Sequence, residues 1–360
     1  MQSWILKKQK PSNQRFYFPT PPPTQSKQLK KLIGNTLKIG IPLALGVYII
    51  WYQYSTLAPE QIETIKQSFR DANYFWVLLS VAFGTLSHLS RAYRWRYTLA
   101  PLDIKIKFSN SFFAVMIGYV ANIAFPRLGE VSRCAVVAKY EGQPFEKLFG
   151  TVVAERVADM LILLSIIAIV LVLQIDILQQ TLEEMLGKGG DPEDLIIKLI
   201  AVVVMGLLIL IAGFFLLRKS NHPFIVKLKT FVTGLIDGVM SILRMEKKWA
   251  FIGHTAFIWI MYLLMFYVVF FALPETSNVP LAGVLAAFVM GGLSIILVQG
   301  GIGVYPLFVA IVLELYGLSE TTGVTLGWII WTGQTAMILG WGAVSLIAMP
   351  LMNSAKPKAV

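Results

Sequence analysis

Between Ala121 and Asp159, charged side chains stand in or against membrane-length apolar sequence: Asn122, Pro126, Arg127, Gly129, Glu130 and Arg133, then Glu155, Arg156 and Asp159. An ionisable residue in a bilayer core is unfavourable by roughly 2.5–3.5 kcal/mol on insertion scales unless it is paired or lines a wet cavity. The planar guanidinium of Arg127 or Arg133 suits a phosphate, which it grips through parallel N–H donors. Glu130 can orient an arginine or exchange a proton, and Asn122 completes the candidate substrate-binding set. In a helix, Glu155 and Asp159 share a face at i, i+4, while Arg156 reaches Asp159 at i, i+3. These three read as supporting ion pairs that hold Arg127 or Arg133. Paired carboxylates also serve acid–base catalysis, but no nucleophile, nucleotide loop or cofactor motif accompanies them. No catalytic residue and no cofactor is assigned, and the chain is not expected to be an enzyme. His88, His222 and His254 lack ligand spacing and Cys134 is the sole cysteine, so no metal site is expected.

A second unusual stretch is Gln299-Gly300-Gly301-Ile302-Gly303-Val304-Tyr305-Pro306. Its glycines and proline break a helix between two apolar runs. Two interrupted apolar segments in corresponding places of a chain point to a transporter binding site.

The elements that must position these residues are membrane helices. Of 360 residues, 56% are hydrophobic and 14% charged, and the mean hydropathy is +0.68. Several windows exceed the roughly 18 apolar residues of a spanning helix. The alternating segments of a β-barrel are missing. The fold class is therefore all-α, a polytopic helical membrane protein of about six to eight transmembrane segments with one or two re-entrant or broken helices. The net charge of +11 is distributed between apolar runs as the positive-inside rule requires, and no soluble basic domain offers itself to nucleic acid.

Residues 1–31 are basic and proline-rich and read as a disordered cytoplasmic tail; residues 32–350 form the transmembrane domain, and 351–360 a second cytoplasmic tail. Apolar runs at 32–54 and 74–90 read as spans, with Arg91, Arg94 and Arg96 beyond the second as an inner, aromatic-flanked belt. The spans at 150–174 and 195–217 flank an acidic outer loop. A basic amphipathic segment at 218–248 follows, then a span at 249–272 and apolar runs at 281–298, 302–315 and 324–349. Both ends of the stretch 108–149 must lie inside, yet its second apolar run, 131–140, is too short to span. A re-entrant hairpin resolves the count.

The run from Asn122 through Pro126-Arg127-Leu-Gly129-Glu130 to Arg133, the run Glu155-Arg156-Val-Ala-Asp159, and the glycine run at Gly300–Gly303 together resemble the flippase-like transmembrane family typified by the membrane half of lysylphosphatidylglycerol synthases. The resemblance covers roughly residues 33–348. It implies an integral inner-membrane protein of about eight helical segments, with translocation of phospholipids or lipid-linked substrates as the activity. The resemblance also implies an acidic residue just after the glycine motif, as in many relatives, where this chain has Tyr305 and Pro306. The synthases also carry a large soluble acyltransferase-like domain, for which this length leaves no room, so aminoacyl-lipid synthesis is not expected.

The reading is thus a lipid flippase or transporter of an inner membrane, with both termini cytoplasmic. Its partners are membrane lipids with anionic or lipid-linked headgroups, a second copy of the chain or a membrane enzyme, and no nucleic acid. Two alternatives stay open: a non-catalytic accessory partner of an envelope-lipid synthase or glycosyltransferase, and a small solute or ion carrier.

Overall fold

A computed structural model describes residues 44, 46–52, 55, 57–125, 128–175, 226, 233–234 and 238–353. Among the described residues there is helix and no strand. Helices α1 (Pro59–Asp71), α2 (Tyr74–Leu99), α3 (Phe108–Ala124), α4 (Leu128–Glu141) and α5 (Phe145–Leu173) form the first half. Helices α6 (Lys248–Tyr267), α7 (Leu281–Leu297), α8 (Val304–Glu314) and α9 (Glu320–Asn353) form the second. By length and composition α5, α6 with its 3-10 extension to Ala272, and α9 are able to cross a membrane; α3, α7 and α8 are apolar but shorter.

The most polar long helix lies at the centre. α2 starts where the Asn73 side chain accepts from the Phe75 N–H at 3.1 Å, an N-cap. It packs on α3, α5, α6 and α9. Its buried side chains include Ser87, His88, Ser90, Arg91, Arg94, Trp95 and Thr98, polar groups recurring at three- and four-residue steps. The span read from the sequence ends at Ser90, but the helix does not. The helix continues to Leu99 because partners for its arginines wait on α5 and α6, so the belt reading of Arg91 and Arg94 is corrected.

Two helical hairpins complete the frame. α3 and α4 pack against each other, as do α7 and α8. At about 1.5 Å per residue none of the four is as long as the roughly 30 Å hydrocarbon core. In the first hairpin Gly118 and Gly129 face each other, and a Cβ on Gly118 would sit 2.8 Å from the Gly129 carbonyl oxygen. Glycine here lets two backbones touch. In the second, Gly300, Gly301 and Gly303 have φ of 66°, 70° and 73°, left-handed values that other residues rarely adopt.

The open ends of the first hairpin meet α9: Asn110 and Asn353 exchange amide hydrogen bonds at 3.0 and 2.9 Å, and the Lys107 N–H donates to Glu141 at 3.2 Å. Its other end faces the second hairpin. The Gln299 amide donates to the Asn122 carbonyl and, at 3.2 Å, to that of Ile123, which satisfies two carbonyls that the end of α3 leaves free. Tail residues 1–31 and 354–360, the acidic loop, the 195–217 run and most of the 218–248 segment lie outside the described residues.

Candidate functional site

α5 supplies the acids. Its buried positions Thr151, Val152, Glu155 and Asp159 turn toward α2 and α4, with Glu155 and Asp159 one turn apart, while Val157 and Ala158 pack against residues between 238 and 251. Asp159 accepts from Arg91 Nη1 at 2.6 Å and from Arg94 Nη1 at 2.9 Å. Arg94 Nη1 also donates to Thr255 Oγ1 at 2.8 Å, and its Nη2 lies 3.9 Å from Glu155. Glu155 accepts from Arg133 Nη1 at 2.9 Å. These five charged side chains are between 0 and 8% exposed.

The Arg133 guanidinium is centred 3.8 Å from the Trp95 ring, a cation–π stack. The Trp95 ring is fixed in turn by its Nε1–H donating to Thr151 Oγ1 at 2.8 Å. Below this lies a packed layer of Leu99, Ala114, Cys134, Val137, Leu148 and Val152. The fork of Arg133 is therefore positioned by an ion pair at one edge and by a ring on one face.

Nearer the surface, Arg156 Nη2 pairs with Glu130 at 2.9 Å, and Arg156 is 42% exposed. Its contact to Asp159 is long, 3.9 Å; the firmer partners of Asp159 are the α2 arginines. Glu130 and Arg133 stand inside the regular helix α4, not on irregular backbone. Gly129 serves close approach, with its N–H donating to the Asn122 side chain at 2.7 Å. Asn122 thus braces the hairpin. Arg127 and Pro126 lie outside the described residues. Residues of the α3–α4 hairpin and of α2 and α5, including Arg91, Asn122, Glu130, Arg133 and Arg156, line a cleft of about 10 Å³, room for about one water.

Four arginines (Arg91, Arg94, Arg133, Arg156) face three carboxylates (Glu130, Glu155, Asp159) in this cluster, an excess of one positive charge among the described residues. The buried nitrogens Arg91 Nε, Arg94 Nε and Nη2, and Arg133 Nε and Nη2 have no hydrogen-bond partner there. Glu155 Oε1 is likewise without one.

The model of the family described as lysylphosphatidylglycerol synthase TM region matches residues 39–342. The chain belongs to that family. It is accordingly an integral membrane protein of the lysylphosphatidylglycerol synthase transmembrane family, with an all-α fold. Comparison with curated proteins and with solved structures gives no match. Within this family member, the second glycine-rich element adjoins the first: Gln299 binds the end of α3, and the Gly300 carbonyl accepts from Trp331 Nε1 at 2.8 Å. Tyr305 is 3% exposed and its ring covers Gly291 on α7.

Arg91 and Arg94, read from the sequence as a belt apart from the charged stretch, are the residues that the structure adds to the cluster. The signal was present, because Ser87, Arg91, Arg94, Trp95 and Thr98 follow a helical repeat. A hydropathy window ends a span at the first arginines, whereas a partnered arginine continues it.

Proposed function

We propose that this protein moves an anionic, phosphate-bearing lipid or lipid-linked substrate across a bacterial-type inner membrane. In this reading both termini are cytoplasmic and the two hairpins are re-entrant elements. The observation that carries it is the set of buried guanidinium N–H groups without acceptors in a cluster with one cation in excess. A buried donor left unpaired costs about 1–3 kcal/mol, and more when charged. Phosphate oxygens are the acceptors that a pre-positioned arginine fork fits best.

The cleft as it stands is too small for a headgroup. Entry requires the α3–α4 hairpin to move away from α5, and the Glu130–Arg156 pair is the contact that spans the mouth. A phosphate arriving there exchanges with Glu130 as the partner of Arg156, then reaches Arg133 and Arg91 within. Exposed pairs contribute about 0–1 kcal/mol to stability, so this exchange is inexpensive.

Arg156→Gln and Glu130→Gln test the reading in proteoliposomes that report movement of labelled anionic phospholipid. We expect parental protein to give flux and Arg156→Gln to lower it at least tenfold with little loss of thermal stability. Parental flux in both variants, or no flux by the parent across a broad lipid panel, refutes the assignment.

A further inference from the structure

A second cavity, about 300 Å³ in volume, lies on the other side of Tyr119 from the arginine cleft. Its walls come from α5, α6, α7 and α9 and are mostly apolar, with Phe288, Ile296, Met337 and Ile338 among them. One end is polar. There the Tyr119 and Tyr262 hydroxyls meet at 3.0 Å, and the Arg91 guanidinium lies 5.9 Å from the Tyr262 ring centre.

His88, one turn before Arg91 on α2, is 3% exposed, and its Nδ1 has no partner among the described residues. Trp259 Nε1, also on the cavity wall, is buried and unpartnered too. The opposite side of the cavity opens at Gly292, Leu293 and Ile296. Leu293 is 38% and Ile296 72% exposed, on an apolar helix flank of a membrane protein. An occupant must therefore be apolar along its length, carry hydrogen-bonding atoms at its inner end and enter from lipid. Water suits the polar end alone and leaves the apolar length of the cavity unfilled.

We propose that this cavity holds one hydrocarbon chain of a membrane lipid whose phosphate sits on the Arg91 side of the Tyr119–Tyr262 pair. The inference rests on the arginine cleft being a phosphate site and adds that substrate is held at both its charged and its apolar part. At about 30 Å³ for a water-sized group, the volume takes on the order of ten carbons. Ester oxygens at the head of the chain accept from Trp259 Nε1–H and from the Nδ1-protonated form of His88. The excess positive charge of the cluster selects anionic over zwitterionic lipid. The tyrosine pair forms the wall that headgroup and chain straddle.

Phosphatidic acid with a mid-chain diazirine, photolysed in phosphatidylcholine nanodiscs containing the full chain, tests this by peptide mapping. A Cβ on Gly292 meets nothing within 4 Å, so Gly292→Phe fills the cavity mouth without a clash at the backbone. Gly292→Leu is a milder second variant. The expected result is saturable label on the α6 and α7 peptides, competed by unlabelled phosphatidic acid and not by inorganic phosphate. That label should fall at least fivefold in Gly292→Phe and less in Gly292→Leu, with thermal midpoints unchanged.

Label that is unsaturable and equal on all lipid-facing helices overturns the chain slot, as does label unaffected by filling Gly292. A dimer cross-linked through Ile296 with no lipid label also overturns it, in favour of a self-association surface. The two readings fail separately. Arg156→Gln losing flux while the cavity takes no label leaves the headgroup site and removes the chain slot. Saturable, Gly292-sensitive label on a protein without flux supports the chain slot and removes transport.

Discussion

Asp159 is shared by two buried arginines, and that sharing sets how the cluster responds to substitution. Asp159→Asn keeps the shape and removes the charge, leaving Arg91 and Arg94 as buried cations with no full counter-charge. Removing one partner of a buried pair destabilises by roughly 3–5 kcal/mol. We expect a fall of that order, read as a lower thermal midpoint in detergent. Arg133 answers differently. Arg133→Lys retains charge and reach to Glu155 but loses the flat stack on Trp95, 3.8 Å away, and the fork of free N–H groups. Its expected signature is lost transport with a smaller stability change than Asp159→Asn, measured on the same two preparations. Equal stability losses in both variants count against a positioning role for the fork. At this scale the acids were legible, since i, i+4 spacing places Glu155 and Asp159 on one face whatever else the chain does. Their arginines were not all legible. Arg133 is near in sequence, but Arg91 lies 68 residues before Asp159, and no local rule connects them.

The helical elements were readable where apolar runs are uninterrupted, and less so where polarity is buried. α5 and α9 follow from their composition. α2 does not, because Arg91 and Arg94 look like the end of a span until their partners are known. The interruption between the end of α3 at Ala124 and the start of α4 at Leu128 and the glycine run at 300–303 were legible as breaks, since proline and left-handed glycines have a local cause. That the two breaks meet was not, because the contact is one amide on Gln299 reaching carbonyls of α3. Two predictions belong to this scale. Gly129→Ala puts a methyl group against the Gly118 carbonyl and the Asn122 amide, with no flexible side chain on the carbonyl side to yield. It should loosen the α3–α4 hairpin and raise hydrogen exchange at residues 115–135, and unchanged exchange would show that the close approach is dispensable. Gln299→Ala removes two hydrogen bonds at the hairpin ends, so exchange should rise at 120–125 and 298–304 while the α2–α5 cluster stays protected.

For the molecule as a whole, the hairpin geometry makes a topological statement. The start of α3, the end of α4 and the end of α9 are joined through Asn110, Glu141 and Asn353, so they lie at one end of the bundle. Since the sole cysteine, Cys134, is buried, Lys105→Cys, Gln143→Cys and Met352→Cys can be labelled without its interference. All three should react from the same side of the membrane with an impermeant maleimide. Reaction of Lys105→Cys and Gln143→Cys from opposite sides would mean that one of α3 and α4 crosses fully and the other does not.

By itself the sequence determined that this chain is an all-helical membrane protein, where its helices break, and that α5 carries a face of acids. Each of these depends on neighbours within a turn or two, or on summed hydrophobicity. Only the tertiary structure decided which cations meet those acids, that the two breaks adjoin, and that an apolar cavity lies against the charged cluster. Those facts depend on contacts between helices far apart in the chain, where one partner alone makes a buried charge costly and the pair makes it stable.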